Sequence, residues 1–151
     1  MLRIAKLTDY ATVLLTTMAA EHDTQFSAAD LAARSRVEAP TTAKVLKSLA
    51  NAGLVESRRG AGGGYRLARA PAAITIADVV AAMEGPIGMT ECVVEEGSCG
   101  HEGYCGVQAN WRRISVAIEA ALRAVTLADM LPKPALRRIP IRVLRTDAAT
   151  S

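Results

Sequence analysis

The stretch Leu54-Val-Glu-Ser-Arg-Arg-Gly-Ala-Gly-Gly-Gly-Tyr-Arg-Leu67 decides the fold. Two short runs of strand-like composition flank a glycine-rich turn that carries Arg58 and Arg59, which is the pattern of a β-hairpin. Gly60, Gly62 and Gly63 give the turn its conformational freedom, and the arginines stand where a hairpin tip could enter a minor groove, whose negative potential attracts guanidinium groups. A phosphate cradle is the competing reading of so many glycines. It fails on two points: the run lacks the Gly-Lys-Ser/Thr ending of a P-loop, and Tyr65 occupies the place of the last glycine of a dinucleotide fingerprint.

The segment before the hairpin sets its meaning. Ser27-Ala-Ala-Asp30 has the form of a capping box and predicts a short helix from Ala28 to about Arg34. Arg36-Val-Glu-Ala39 breaks the pattern. Pro40 suits a first helical position, and Thr41 to Ala52 reads as a second helix closed by Gly53. Helix, tight turn, helix, hairpin is the order of a winged helix-turn-helix. On the second of these helices Thr42, Val45, Leu46 and Leu49 fall on one side, and Lys44, Lys47 and Asn51 on the other, with Thr41 and Ser48 at the flank. Taken alone, this is any amphipathic helix with a solvated face. Followed by a basic wing, it reads as a recognition helix, whose hydroxyls and cations reach phosphates and base edges in the major groove. The expected DNA-contacting set is Ser27, Pro40, Thr41, Thr42, Lys44, Lys47 and Ser48, with Arg58, Arg59, Gly60, Gly62 and Gly63 from the wing.

Two further helices complete a DNA-binding domain over residues 1–84. Thr8 is the expected cap of a helix with Ala11, Leu14, Leu15 and Met18 at helical spacing, ending near Ala20. Thr75-Ile-Ala-Asp78 repeats the capping-box form and opens a helix with Ile76, Val79, Val80 and Met83 on its apolar side, stopped by Gly85-Pro86. With 151 residues, half of them hydrophobic but only one Phe and one Trp, the core must be built from Ala, Leu, Val and Ile, so the expected fold class is mainly α. The longest apolar run, Ala11 to Ala20, is too short for a membrane span, and a cytoplasmic protein is expected. A net charge of +3 decides little by itself; the placement of Lys and Arg matters more.

Residues 85–106 form a cysteine-rich loop. All three cysteines lie in Cys92-Val-Val-Glu-Glu-Gly-Ser-Cys99-Gly-His-Glu-Gly-Tyr-Cys105, among glycines and polar residues that argue against burial. An odd number of thiols in a reducing compartment points to ligands or redox groups rather than to disulfides. Thiolates suit an iron–sulfur cluster or zinc. The spacing is not the Cys-x-x-Cys of structural zinc sites, and unligated redox thiols are the remaining alternative. No base is paired with a thiol, so neither an enzyme nor a small-molecule substrate is expected.

Beyond the loop, Trp111, Ile114, Ile118, Ala121 and Val125 recur at intervals of three and four, the seam of a helix packed lengthwise on another. Residues 107–131 read as one long C-terminal dimerisation helix, about 30 Å over some twenty residues. A helix left over after a complete winged helix implies a homodimer, which also suits paired half-sites in an operator. Residues 132–151, with Lys133, Arg137, Arg138, Arg142 and Arg145 among prolines, read as a basic, mobile tail.

Leu7-Thr-Asp-Tyr-Ala, the helix-turn-helix, Arg59-Gly-Ala-Gly-Gly-Gly-Tyr-Arg-Leu, Ile76-Ala-Asp-Val-Val, the three cysteines and Trp111 together resemble the bacterial winged-helix iron–sulfur regulators. The resemblance covers about residues 1–131 and is nearest the branch that regulates the Suf cluster-assembly operon, with the Isc regulator and the nitric-oxide-sensing repressor as cousins. It implies a homodimeric transcription factor that binds a double-stranded DNA operator, represses iron–sulfur assembly genes and is controlled by a 2Fe-2S or 4Fe-4S cluster. Cys92, Cys99 and Cys105 would be ligands. For the fourth, the nitric-oxide-sensing cousin uses an Asp in the same Thr-Asp context, reaching from the other subunit, which implies Asp9 here. The ordinary account of Asp9 is a helix-start carboxylate stabilised by the helix dipole. The Isc regulator uses a His three residues after its last cysteine, where this chain has Gln108, and His101 is the local alternative. A structural zinc, empty cysteines, or nitric-oxide or redox sensing at other genes are the alternative functions.

Overall fold

A computed structural model describes residues 3–132, and the predicted basic tail from Lys133 onward lies outside the described residues. The chain folds as a mainly helical winged helix. Its elements are α1 (Lys6–Ala20), α2 (Ala28–Ser35), α3 (Ala39–Asn51), β1 (Val55–Arg58), β2 (Gly64–Leu67), α4 (Ile76–Glu84), α5 (Glu91–Val94), α6 (Gln108–Arg123) and α7 (Leu127–Met130).

The core is aliphatic, as the composition requires. Leu14, Leu15 and Met18 of α1, Leu31 of α2, Val45, Leu46 and Leu49 of α3, Val79 of α4 and Leu127 of α7 are all fully buried around Phe26 and Ile74. These are the apolar positions of each helical repeat, and burying a side chain of this kind contributes roughly 1.5–3 kcal/mol. The two predicted capping boxes are present: Ser27 with Asp30 on α2, and Thr75 with Asp78 on α4. The Ser27 side-chain hydrogen bond, reinforced by the Ser27 backbone N–H and by the charge of Arg34, holds the Asp30 carboxyl below its ordinary range.

The wing is an antiparallel pair in the register Val55 with Leu67, Glu56 with Arg66, Ser57 with Tyr65 and Arg58 with Gly64. It is fastened to the helix-turn-helix from the other side as well. Phe26 and Tyr65 exchange backbone hydrogen bonds of 2.9 and 2.7 Å just before α2 begins. A side chain at Gly64 would collide with the Phe26 carbonyl, so this close approach requires glycine.

Two expectations are corrected. Thr8 does not cap α1: the helix starts at Lys6, with Ala5 at its cap position, and Thr8 is buried inside it. The cap comes from a distant residue, because Glu84 Oε1 accepts hydrogen bonds from the Ala5 N–H (3.1 Å) and the Thr8 hydroxyl (2.6 Å). The single helix expected over 107–131 is also two helices. α6 ends at Arg123, and Thr126 with Asp129 forms a third capping box that opens α7. The break has a physical cause. The Val125 carbonyl accepts from the Ile76 N–H and the Leu127 N–H donates to Ile74, both at 2.9 Å, so the chain is drawn back onto the core. Val125 therefore lies in the break and not on the α6 seam.

Candidate nucleic-acid interface and cysteine segment

α3 presents Pro40, Lys44, Lys47 and Asn51 to solvent, with Thr41 and Ser48 half-buried at the flank. Arg58, Arg59, Gly60 and Gly62 are exposed on the wing. Gly60 and Gly62 take φ of +96° and +78°, and a Cβ at Gly63 would lie 2.5 Å from the Arg58 carbonyl oxygen. The turn that carries the arginines thus depends on these glycines. Several arginines elsewhere are matched with carboxylates: Arg34 with Glu21, Arg66 with Glu56, Arg112 with Glu96 and Arg123 with Glu119. Lys44, Lys47, Arg58 and Arg59 have no carboxylate partner among the described residues. Unneutralised cations on a helix face and an adjoining wing are the electrostatic footprint of a phosphate-bearing partner.

Two members of the predicted set stand differently. Thr42 is fully buried, and its hydroxyl donates to the Val37 carbonyl at 3.3 Å, so it cannot touch DNA. Its place in that set is corrected: it sits on the same side as Val45, Leu46 and Leu49. Ser27 is exposed, but its hydroxyl proton is committed to Asp30 at 2.6 Å.

The cysteine segment connects α4 to α6 and contains more structure than a loop. α5 carries Cys92, and a short 3-10 turn covers Glu102–Tyr104. All three thiols are free. Cys92 is only 6% exposed, against the expectation from its polar neighbours, and its sulfur lies 3.3 Å from the Thr90 hydroxyl. Cys99 and Cys105 are half-buried. The segment is tied to α6 by the Met89 N–H, which donates to the buried Ser115 hydroxyl at 3.0 Å, and by Arg112 with Glu96 at 3.3 Å.

One residue here has no sequence signal. Glu102 accepts from the Gly97 N–H through Oε2 at 2.8 Å, while Oε1 is buried without a hydrogen-bond partner among the described residues. Such a group normally finds a partner, and a cation is one candidate. Three free thiols, with Glu102 between the last two in sequence, are donor types that suit a metal or an iron–sulfur cluster. The single chain does not bring them together. Among the described residues, no three His, Cys, Asp or Glu side chains form a group able to hold a metal ion. His101 is exposed at the start of the 3-10 turn, Gln108 opens α6, and Asp9 is exposed on the first turn of α1.

The profile of a family described as iron-dependent transcriptional regulator matches residues 4–133, nearly the whole of the described chain. The chain belongs to the Rrf2 family. It is 32% identical over 120 residues to the HTH-type transcriptional regulator IscR of Erwinia tasmaniensis, covering 80% of this chain and 72% of that one. Protein aau3 of Rhizobium meliloti is 34% identical over 131 residues, covering 86% and 85%. Among solved structures, CymR, described as the global cysteine regulator of B. subtilis, superposes with a TM-score of 0.66 at 32% identity, covering 86% of this chain and 96% of that chain. IscR of T. potens gives 0.64 at 28%, covering 85% of each. An Rrf2 protein is a helix-turn-helix transcriptional regulator and not an enzyme, and the winged helix seen here is the fold of these relatives. No helix among the described residues is long and apolar enough to cross a membrane.

Proposed function

We propose that this Rrf2 protein is a homodimeric repressor of iron–sulfur cluster assembly genes whose operator affinity is set by a cluster on Cys92, Cys99 and Cys105. The observation that carries this reading is the placement of all three free thiols in the one segment that joins the winged helix to α6. Asp9 of a second subunit is the proposed fourth ligand, with Glu102 and His101 as local alternatives. When bound, the group supplies an iron centre sensitive to oxidation, nitric oxide and iron supply, which ties the thiolates together.

The chain's own residues supply the coupling. Cys92, Cys99 and Cys105 would hold the cluster, and bringing them together would require Cys92 and α5 to shift; the Met89–Ser115 and Arg112–Glu96 contacts would pass that shift to α6. At the other end the segment begins at Gly85, directly after Glu84, which holds the start of α1. The seam residues Trp111 and Ile114 on α6 are 38% and 43% exposed, leaving an apolar face for the second subunit. A change in the segment is thereby felt at the dimer face and at α1 together, and a small change in spacing between two recognition helices misaligns both half-sites.

The competing reading is a regulator with zinc or with bare thiols, favoured by the absence of a convergent ligand group among the described residues and by the likeness to a cysteine regulator. Iron, acid-labile sulfide and zinc in protein purified without oxygen decide between them. We expect brown protein with iron and sulfide in equal amounts, lost in Cys99→Ala and reduced in Asp9→Ala. Zinc alone, or colourless protein after reconstitution with iron and sulfide, contradicts the proposal.

A further inference from the structure

We infer that the cleft between the start of α1 and the corner of the helix-turn-helix grips a phosphodiester of the DNA backbone, with Arg36 as the gripping residue. The cleft has a volume of about 380 Å³ and is lined by Lys6, Tyr10, Arg36, Glu38 and Thr41.

Arg36 ends α2 in the left-handed conformation, with φ 57° and ψ 28°, and is the one non-glycine residue with positive φ among the described residues. Glycine or asparagine is the usual occupant of such a position, because a Cβ is disfavoured there. A long cationic side chain held at that cost is understandable when the side chain contacts something. Within the chain it contacts no acid: Arg36 is exposed and has no carboxylate partner among the described residues, although Glu38 lines the same cleft. Lys6 stands across the cleft over the Tyr10 ring at 5.4 Å, so a second cation is positioned there without neutralisation.

The place of the cleft selects the occupant. Thr41 is shared between the cleft and the first turns of α3, so the cleft is continuous with the face that carries Lys44 and Lys47. In a helix-turn-helix complex the N-terminal residues of the recognition helix contact base edges while the helix before it crosses the backbone, so the corner between the two lies beside a backbone strand. Arg36 and Lys6 would meet that strand beside the face that carries Lys44 and Lys47. Glu38 opposes an anion, which limits the strength of the contact and provides a second test.

The inference rests on DNA binding by the helix-turn-helix, and the controls separate the two. Full-length protein is titrated with a mixed-sequence duplex of about 40 base pairs by fluorescence anisotropy at several salt concentrations, a probe chosen because backbone contacts are sequence-independent. Arg36→Gly is expected to weaken binding about threefold to tenfold at the lowest salt and to reduce the salt slope by about one unit, with the melting temperature raised by release of the left-handed strain. Arg36→Lys is expected to keep the slope, and Glu38→Gln to tighten binding about twofold. If Arg36→Gly melts higher but binds with unchanged affinity and slope while Lys44→Ala weakens binding, the cleft is overturned and the α3 interface stands. If neither variant changes binding, both fall.

Discussion

Thr42 and Lys44 are two positions apart on α3 and face opposite ways, which shows how much a single residue's role depends on the side of the helix it occupies. Thr42 lies under the helix with its hydroxyl on Val37, whereas Lys44 is exposed and has no acid partner among the described residues. Lys44→Ala should lower the salt slope of DNA binding by about one unit. Thr42→Val should leave that slope unchanged while costing roughly 1 kcal/mol of stability in denaturant titration, since a buried hydroxyl bond is lost. A changed slope in the Thr42 variant would mean that α3 docks by a different face. The apolar periodicity of α3 puts Thr42 inside, and its hydroxyl follows that position by bonding the Val37 carbonyl. Arg36 shows the converse. Its residue type is visible in the sequence, but its left-handed backbone is not, and only that conformation makes an arginine there informative.

At the scale of elements, local signals were legible and distant ones were not. The Ser27–Asp30 and Thr75–Asp78 boxes are satisfied within four residues, so reading them needs no tertiary knowledge, and both helices begin where expected. The start of α1 is satisfied by Glu84, 76 positions from Thr8, and no local pattern could announce it. The break between α6 and α7 was legible in principle. Thr126-Leu-Ala-Asp129 has the same box form as the others, but the three-four apolar spacing runs up to it through Val125, so the two signals compete there. In the cysteine segment, the thiols and their spacing were visible, but the burial of Cys92 and the orphaned oxygen of Glu102 arise from packing. The Glu84 contact also yields a prediction. Glu84→Ala leaves the buried Thr8 hydroxyl and the Ala5 N–H without their acceptor, and should cost about 1–3 kcal/mol in chemical denaturation. It should also loosen α1, seen as faster amide exchange over Lys6–Leu14. Unchanged stability and exchange would remove Glu84 from the link between the cysteine segment and the DNA-binding domain.

At the scale of the whole molecule, α6 is joined to the rest of the chain at Ser115 and just beyond its end at Arg123. α7 returns to the core through Leu127, which is fully buried, so the far end of α6 is anchored to the DNA-binding domain and not free to swing. A dimer formed through the exposed seam of α6 would then hold its two recognition helices at a spacing set by how α6 sits on its own domain. The cysteine segment is fastened to α6 at Ser115 and follows Glu84 at its other end, and under the proposed function it is where that spacing would be adjusted. The most direct test is operator affinity at fixed salt, measured without oxygen on cluster-loaded protein, stripped protein and Cys99→Ala, using a duplex recovered by selection from a random pool. The account predicts that loaded protein differs from the other two by about tenfold or more on the operator while all three bind mixed-sequence DNA alike. Equal operator affinity for all three would contradict control by the cysteine segment and leave a winged-helix regulator that responds to something else.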